Sequence, residues 1–463
     1  MKTKELMVTV RKRMKAQVEP YGSYDVIVCG GGPAGIAAAY SAALLGVKVV
    51  LLEQYGFLGG MATSGLPILS FHNMKGNQII GGFAQLFVDY LKKLGGTPGH
   101  VPLQHGHMKT ITPIDPEKVK FAAQELLLEK KVEVLHHCLA VEPVLKNNQV
   151  KGVFFESKGG RFYLEGKTVI DATGDADIVA KTGVEYELGD DSGNCQPMTM
   201  IFKIDGIDSQ KAFQLTDEEI VVNPHHDPHS GFAPIFHITT QFKPWRQIIE
   251  KEGLFDGIAD HRAWLMCLYQ GEMFINTIKI IADSLDPAAL SLAEISARRE
   301  AHQIFKFLKQ HIPGFENAHL SLTPVKIGIR ESRRIIGDYS LNKEDILLGK
   351  KYQDTIAWCG YPIDVHKQDR IDSYFQYVED QGEYGIPFRC LIPRELENIL
   401  VAGRSISATH EAMASFRVMA PCMAIGQAAG VASALTIQEG FTSLRKIPVD
   451  VLQRILKDQG AIL

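Results

Sequence analysis

The chain has 463 residues, which is too long for one simple hydrophobic core, so two or three domains are expected. It is 45% hydrophobic and 22% charged, a composition typical of soluble globular proteins. The net charge of −4 gives no electrostatic reason to expect nucleic acid as the main partner. Residues 1–21 form a locally basic N-terminal extension without the apolar core of a signal peptide, and no apolar tract reaches the length of a membrane helix.

A strand followed by a glycine-rich turn is predicted next. Tyr24 to Cys29 is a short apolar run suited to a buried parallel strand, and the glycines of a GxGxxG pattern follow at Gly30, Gly32 and Gly35. Glycines permit a tight turn and let backbone N–H groups approach a pyrophosphate, whose charge the following helix N-terminus stabilises. The pattern therefore indicates a dinucleotide site.

The next elements strengthen this interpretation against a plain glycine-rich turn. A helix is predicted from Pro33 to Leu45, and a second strand from Val47 to Leu52 ends at the acidic Glu53. Glu53 can accept hydrogen bonds from ribose hydroxyls, and its charge would repel a 2′-phosphate.

A second glycine pair, Gly59-Gly60, follows the acidic residue. The order GGGPAG, acidic residue and GG pair resembles the glutathione-reductase-like flavoproteins that have a fused substrate domain. The resemblance implies an α/β fold, in which a Rossmann-like FAD-binding domain carries a second, α+β substrate domain, and it implies noncovalent, extended FAD. The cofactor contacts implied in this part of the chain are Gly30, Gly32, Pro33, Ala34, Gly35, Glu53, Gln54, Gly60, Met61, Ala62 and Thr63.

A β-meander is predicted in the middle of the first domain, with alternating runs near 139–146, 149–156 and 161–165. A separate buried strand then ends in Ala172, Thr173 and Gly174. By the same resemblance, these three residues close over the dinucleotide, and the backbone of Ala140 meets the adenine. Asp175 remains open between a helix N-cap and a cofactor contact.

A substrate domain is predicted from residue 196 to 384, beginning with a strand in PMTMIFKIDG and including a helix from Asp286-Pro287 to about His311. The motifs GIRESRRIIG, YPIDVH, IPFRCLIP and AGRSISATHEA then follow in an order similar to the FAD-dependent oxidoreductase family of bacterial proteins. With the glycine motif, this resemblance runs from Gly30 to Gly430 and implies an FAD-dependent oxidoreductase.

Charged residues in these motifs are candidates for the substrate site. Arg330, Arg333 and Arg334 could hold an anion, or they could form a structural network with Glu331. His366, beside Asp364, could remove a proton when hydride leaves the substrate. The histidines of the segment NPHHDPHSGF, His225, His226 and His229, lack the helical spacing of metal-binding pairs, so no metal site is predicted.

The last part of the chain is predicted to return to the cofactor. A strand at 399–402 ends at Gly403, and a helix is expected to begin near Pro421 with its N-terminus toward the flavin. Arg404 faces the cofactor or substrate in this interpretation, whereas His410 lies in a loop and is a second candidate base. The implied cofactor contacts here are Gly403, Arg404, Met419, Pro421, Cys422 and Met423.

The FAD-binding domain is thus expected at 22–195 and 385–440, followed by a helical tail at 441–463. Seven cysteines without a CxxC pair disfavour disulfides, iron–sulfur ligation and dithiol chemistry, and they fit a cytoplasmic protein. The leading hypothesis is hydride transfer between FAD and a small polar or anionic substrate, with an unidentified electron acceptor or donor. The alternatives are a non-redox hydratase or isomerase, and an RNA-modifying flavoprotein, against which the acidic balance counts. A homo-oligomer is left open, and neither nucleic acid nor membrane is expected as a partner.

Overall fold

The computed structural model describes residues 20–103, 106–212, 219–222, 231–254, 263–366 and 373–463. Most of the predicted N-terminal extension lies outside the described residues, and so do His225, His226 and His229. The strands in chain order are Gly22–Cys29 (β1), Val49–Glu53 (β2), Ile68–Leu69 (β3), Val101–Pro102 (β4), Thr110–Thr112 (β5), Glu133–His136 (β6), Leu139–Lys146 (β7), Gln149–Ser157 (β8), Gly160–Asp171 (β9), Tyr186–Leu188 (β10), Phe202–Asp205 (β11), Glu219–Val222 (β12), Ile235–Thr240 (β13), Ala263–Met266 (β14), Glu272–Asn276 (β15), His319–Leu322 (β16), Arg333–Ile335 (β17), Thr355–Cys359 (β18), Ile363–His366 (β19), Ser373–Gln376 (β20), Tyr384–Pro387 (β21) and Ile399–Val401 (β22). The α-helices are Pro33–Leu44 (α1), Gly82–Lys93 (α2), Pro116–Glu129 (α3), Ser209–Ala212 (α4), Arg246–Glu252 (α5), Pro287–His311 (α6), Lys343–Leu347 (α7), His410–Phe416 (α8), Met419–Glu439 (α9) and Val449–Asp458 (α10).

The first sheet has seven strands in the order β6-β2-β1-β9-β8-β7, with β22 also paired to β9. Strands β6, β2, β1, β9 and β22 run parallel, whereas β7 and β8 are antiparallel neighbours. The predicted α/β architecture is confirmed. Parallel strands of such a sheet bring their carboxyl ends to one edge, where ligands bind in this fold class.

The third run of the meander and the buried strand after it are one continuous strand, β9, rather than two. Its first half pairs with β8 from Gly160 to Glu165, and its last three residues pair with β22. Pairing with β1 continues across Gly166, so the ladder spans the point where the sequence pattern changes. The alternating half is partly exposed and the apolar half is buried, which is why the sequence suggested two strands.

Two helices of the first domain pack backbone against backbone. A Cβ atom at Gly426 of α9 would fall inside van der Waals contact with the carbonyl oxygen of Ala34 in α1, and one at Gly430 would do the same at Ala38. Helix α9 has the length and apolar composition of a membrane span, yet 89% of its most apolar window is buried inside the protein. It therefore has the burial of a core helix.

The second sheet is six-stranded and antiparallel, in the order β12-β13-β14-β15-β11-β16. Helix α6 covers it, and its buried residues include Ala297 and Phe307, in one core with the strands. Asp286 caps this helix by accepting a hydrogen bond from the Ala289 N–H at 2.7 Å. The predicted start and end of the helix are confirmed.

The cores divide the chain at a different place from the predicted boundary at residue 384. The second core takes its buried residues from Met198 to Ile327, whereas Ile335 and Tyr384 already belong to the first core. Leu452 and Leu456 of α10 also pack into the first core, so the C-terminal segment is part of that domain. The short strands β18 to β21 gave no pattern from which the sequence could assign them to either core.

Candidate functional site

A cavity of about 210 Å³ lies at the carboxyl edge of β1, β2, β9 and β22, and we name it the first cavity. Sixteen of the residues predicted to contact a cofactor line it, and they come from separate segments of the chain. They are Gly30, Gly32, Pro33, Ala34, Glu53, Gln54, Gly60, Met61, Ala140, Ala172, Thr173, Gly174, Gly403, Arg404, Met419 and Cys422.

The glycine-rich turn fits a pyrophosphate at this position. Gly30 has a φ of +102°, and a Cβ atom there would lie 2.6 Å from the carbonyl oxygen of Ala172. A Cβ atom at Gly32 would meet no protein atom within 4 Å, so this residue faces open space at the N-terminus of α1. Backbone N–H groups at a helix N-terminus with such space beside them form an anion site.

Glu53 closes β2 as predicted, and its buried carboxylate lines the first cavity. Its Oε2 atom accepts a hydrogen bond from the Gly31 N–H at 2.7 Å, and Oε1 accepts one from the Tyr55 N–H at 2.9 Å. A carboxylate has about four lone-pair positions, so capacity remains for ribose hydroxyls. The geometry agrees with a dinucleotide whose ribose lies against Glu53.

Five predicted cofactor residues do not line the first cavity: Gly35, Ala62, Thr63, Pro421 and Met423. Gly35 instead lets α1 approach the Gly30 carbonyl oxygen, and Ala62 and Met423 are fully buried. The Thr63 hydroxyl donates to the Gly60 carbonyl oxygen at 2.7 Å. Helix α9 begins at Met419, close to the predicted start near Pro421, and its first turn presents Met419 and Cys422 to the cavity.

Sequence reasoning missed several residues of the first cavity, among them Tyr55, Leu139, Asp177 and Lys326. Tyr55 and Leu139 sit one or two residues from predicted contacts, so the strand ends could have indicated them. Lys326 comes from the second domain, and no local pattern connects it with a nucleotide site.

A second cavity, of about 440 Å³, adjoins the first one. Both cavities are lined by Met61, Ile329, Arg404, Arg417 and Met419, which therefore form the junction between them. Because small-molecule sites commonly measure about 300–1,000 Å³, the first cavity alone is small for a dinucleotide. A bound FAD would extend through the junction into the second cavity.

The hairpin of β19 and β20 supplies polar groups to the second cavity. Side chains alternate along a strand, so Ile363 and Val365 point into the core while Asp364 and His366 share the opposite face. Phe375 lies directly across from Asp364 in the antiparallel ladder and lines the same cavity. The motif YPIDVH thus places an acid–histidine pair beside an aromatic ring.

The buried carboxylate of Asp364 is shared by three side chains. His366 Nε2 lies 3.5 Å from Oδ1, and the Tyr361 hydroxyl donates to Oδ2 at 3.2 Å. Arg417 Nη2 donates to the Asp364 carbonyl oxygen at 3.2 Å and lies 3.4 Å from Oδ2. Burial raises the pKa of Asp364, but His366 and Arg417 outweigh it and hold that pKa well below its usual range. Asp364 is therefore a carboxylate at neutral pH.

Burial lowers the pKa of His366 to about 4, with a further contribution from Arg330, although Asp364 acts in the opposite direction. The imidazole is consequently neutral near pH 7, which is the protonation state that can accept a proton. His366 lines the second cavity, as a candidate base must.

The three arginines of GIRESRRIIG separate in the structure. Arg330 is half-buried, lines the second cavity and donates to the Pro197 carbonyl oxygen at 2.6 Å. Arg333 pairs with Asp177 at 3.0 Å, and Arg334 pairs with the buried Glu331. Neither Arg333 nor Arg334 lines either cavity, and the charge of Arg333, which was predicted to bind the substrate anion, is balanced by an acid distant in sequence.

His410 is also placed differently from its prediction. It is the first residue of α8, not part of a loop, and Thr409 caps this helix by accepting from the Ala412 N–H at 3.3 Å. Its Nδ1 atom lies 2.9 Å from the Glu331 carboxylate, and the residue lines neither cavity. The structure therefore places His410 in a buried polar network, away from both cavities.

Glu331 is the centre of that network, and replacing it with Gln is expected to lower the free energy of unfolding by about 3–5 kcal/mol. Its buried carboxylate pairs with Arg334 and His410, and it accepts from the Gln196 N–H at 3.0 Å. Gln cannot balance the buried Arg334 charge. Urea unfolding of the holoprotein measures the loss. Glu397→Gln, at a half-exposed pair with Arg445, is the control and should cost under about 1 kcal/mol. Equal effects of the two substitutions would contradict the assignment.

Arg404 lines both cavities, and its ion-pair partner is Asp175, for which the sequence left open a helix N-cap or a cofactor contact. Arg404 Nη2 lies 2.6 Å from Asp175 Oδ1, and Nη1 donates to the Gly174 carbonyl oxygen. Asp175 thus holds Arg404 at the junction and is not a helix N-cap. This ion pair joins the residues that follow β9 to the loop after β22.

Comparisons with known proteins agree with the nucleotide geometry. The family model described as FAD dependent oxidoreductase matches residues 25–456. Ferredoxin–NADP reductase of Leuconostoc citreum is 40% identical over 68 residues, covering 13% of this chain and 20% of that protein. Dihydrolipoyl dehydrogenase of Trypanosoma brucei brucei is 52% identical over 40 residues, 9% of this chain and 8% of that protein. The chain therefore spans only a small part of the length of these curated relatives.

Two solved structures resemble the chain over most of its length at 12% sequence identity. A geranylgeranyl bacteriochlorophyll reductase-like protein of Thermoplasma acidophilum has a TM-score of 0.47, covering 95% of this chain and 84% of that one. The flavin-dependent brominase Bmp2 has a TM-score of 0.48, with 94% and 83% covered.

Proposed function

Because the chain belongs to the FAD dependent oxidoreductase family and its cofactor is FAD, we propose that it transfers hydride between FAD and a small anionic organic substrate. The observation that carries this proposal is the junction at which the first cavity meets a cationic second cavity. With FAD bound along the first cavity, the junction gains a two-electron acceptor or donor. The protein's own residues must then bind the substrate and take up its proton.

The charges of the second cavity favour an anion. Lys279, Arg330, Arg404 and Arg417 line it, whereas Asp364 is its one carboxylate among the described residues. Asp175 balances the charge of Arg404 from the first cavity. Arg330, with a backbone carbonyl as its hydrogen-bond acceptor, is placed to bind a substrate carboxylate, for which a planar guanidinium is well suited.

His366 is the proposed base for the proton that leaves when hydride is transferred. A hydrogen on Nε2 directed at Asp364 places the acceptor lone pair of the neutral ring on Nδ1. Asp364 would orient the imidazole ring of His366 and stabilise the imidazolium that forms when the ring takes up a proton. Its further bonds to Tyr361 and Arg417 hold this carboxylate in position.

The pH dependence follows from the state of His366. Because only the neutral ring accepts a proton and its pKa is lowered to about 4, kcat/KM should be retained from neutral pH down to pH 5 and fall only as pH approaches 4. The measurement is a pH profile of kcat/KM for substrate oxidation. A loss of activity with an apparent pKa near the ordinary histidine value of about 6.5 would contradict the depressed pKa.

Turnover with a dye as electron acceptor tests the proposed reaction class. The FAD-loaded protein is mixed with 2-hydroxy and 2-amino carboxylates, with their amides as uncharged controls, and dye reduction is followed. We expect one or more carboxylates to reduce the dye and the matching amides to be much poorer substrates. Faster reduction by amides than by carboxylates would contradict an anion-binding site.

A further inference from the structure

An aromatic wall bounds the second cavity on the side of the β19–β20 hairpin. It consists of His107, Trp264, Tyr361 and Phe375, which come from four separate segments of the chain. The rings of His107 and Phe375 stack with centroids 4.4 Å apart, and those of His107 and Trp264 lie 5.4 Å apart. The four rings therefore come together on one side of the second cavity.

The aromatic wall adjoins the cationic groups through Tyr361, whose hydroxyl donates to the carboxylate that Arg417 also contacts. Within the described part of the chain, the buried Nε–H of Arg417 has no acceptor. The Arg417 side chain as a whole is partly exposed and lines both cavities, so its guanidinium can meet an oxygen of a bound ligand. Arg417 therefore indicates where an anionic group of a ligand would bind.

We propose that the substrate is an aromatic carboxylate, with its ring against the aromatic wall and its carboxylate on Arg330 and Arg417. This inference rests on the proposed function, because it names the substrate of the same site. The cavity of about 440 Å³ must also admit the redox-active end of FAD at the junction, which leaves room for a molecule of one ring. Offset or edge-to-face ring packing gives an aromatic ligand an advantage over a saturated ring of similar size.

Calorimetric titration of the FAD-loaded protein with three probes separates the two parts of the proposal. Benzoate should bind roughly two- to tenfold more tightly than cyclohexanecarboxylate, which has no aromatic ring. It should bind at least about tenfold more tightly than benzamide, which lacks the charge. Equal binding of benzoate and cyclohexanecarboxylate would overturn the aromatic assignment, and equal binding of benzoate and benzamide would overturn the carboxylate assignment.

Substitutions assign each preference to its residues. Phe375→Leu should remove the preference for benzoate over cyclohexanecarboxylate, while the distant Phe305→Leu in α6 should leave it unchanged. Arg330→Gln should remove the preference for benzoate over benzamide, and Arg417→Gln provides a second test at the other cation. If neither arginine substitution alters the preference for charge, the proposed carboxylate site is wrong.

Binding also separates this inference from the proposed function. Tight benzoate binding to a protein whose flavin no carboxylate reduces would defeat the redox function and support the ligand class. Flavin reduction by aliphatic carboxylates, without preferential benzoate binding, would support the redox function and overturn the aromatic inference.

Discussion

Replacing Gly32 with Ala is expected to weaken FAD binding by roughly 10- to 100-fold while changing the stability of the apoprotein by less than about 1 kcal/mol. The added Cβ atom would meet no protein atom within 4 Å, and the φ of −77° suits any residue. The methyl group would instead occupy space that the pyrophosphate needs. Titration of the apoprotein with FAD measures the affinity, and urea unfolding of the same sample measures the stability.

Gly35→Ala in the same motif is the matched comparison. Its Cβ atom would overlap the carbonyl oxygen of Gly30, which is backbone and cannot move aside. We expect the apoprotein to lose about 3 kcal/mol, which exceeds the gain of about 1 kcal/mol that Ala brings to a helix interior. The two substitutions thus separate ligand contact from packing. A Gly32→Ala protein with normal FAD affinity would contradict the location assigned to the pyrophosphate.

Replacing His366 with Gln should lower kcat/KM by about 10²–10⁴-fold and leave FAD bound, because general-base catalysis contributes a factor of that size. Gln can still donate a hydrogen bond toward Asp364 but cannot accept a proton at neutral pH. Steady-state kinetics with the dye acceptor measure the effect, and the absorbance of the purified protein reports bound FAD.

His410→Gln is the control for this substitution. His410 contacts Glu331 and lines neither cavity, so its replacement should lower stability without a comparable loss of kcat. If His410→Gln abolished turnover while His366→Gln had little effect, the assignment of the base would be reversed. Loss of FAD from the His366 variant would instead show that this residue supports the cofactor site.

The nucleotide half of the site was largely predictable from the sequence because its signals are local. Gly30, Gly32 and Glu53 have fixed positions relative to a strand and a helix, and the structure places all three at the first cavity. The fold class and the family, both inferred from ordered motifs, are confirmed.

The substrate half was less predictable because it depends on contacts between distant segments. Three arginines within five residues suggested one anion site, but Asp177 and Glu331 neutralise two of them and leave Arg330 at the cavity. His410 and His366 were equal candidates by type. Two features of the structure distinguish them. The buried Glu331 lies beside His410, and the alternation of side chains along β19 directs His366 into the second cavity.

The aromatic wall had no sequence signal at all. Trp264 and Phe375 are more than a hundred residues apart, and each occupies a strand where an aromatic residue is ordinarily explained by packing. The core to which residues near the predicted boundary belong had no sequence signal for a related reason: the short strands β18 to β21 carry too little periodicity to show which core buries them.

Anaerobic stopped-flow mixing of the FAD-loaded protein with the best carboxylate from the dye assay tests the central claim most directly. We predict that the absorbance band of oxidised flavin bleaches at a rate at least equal to turnover, and that His366→Gln slows this bleaching in proportion to its loss of kcat/KM. Turnover of a substrate with no bleaching would contradict hydride transfer and would favour a non-redox role for FAD.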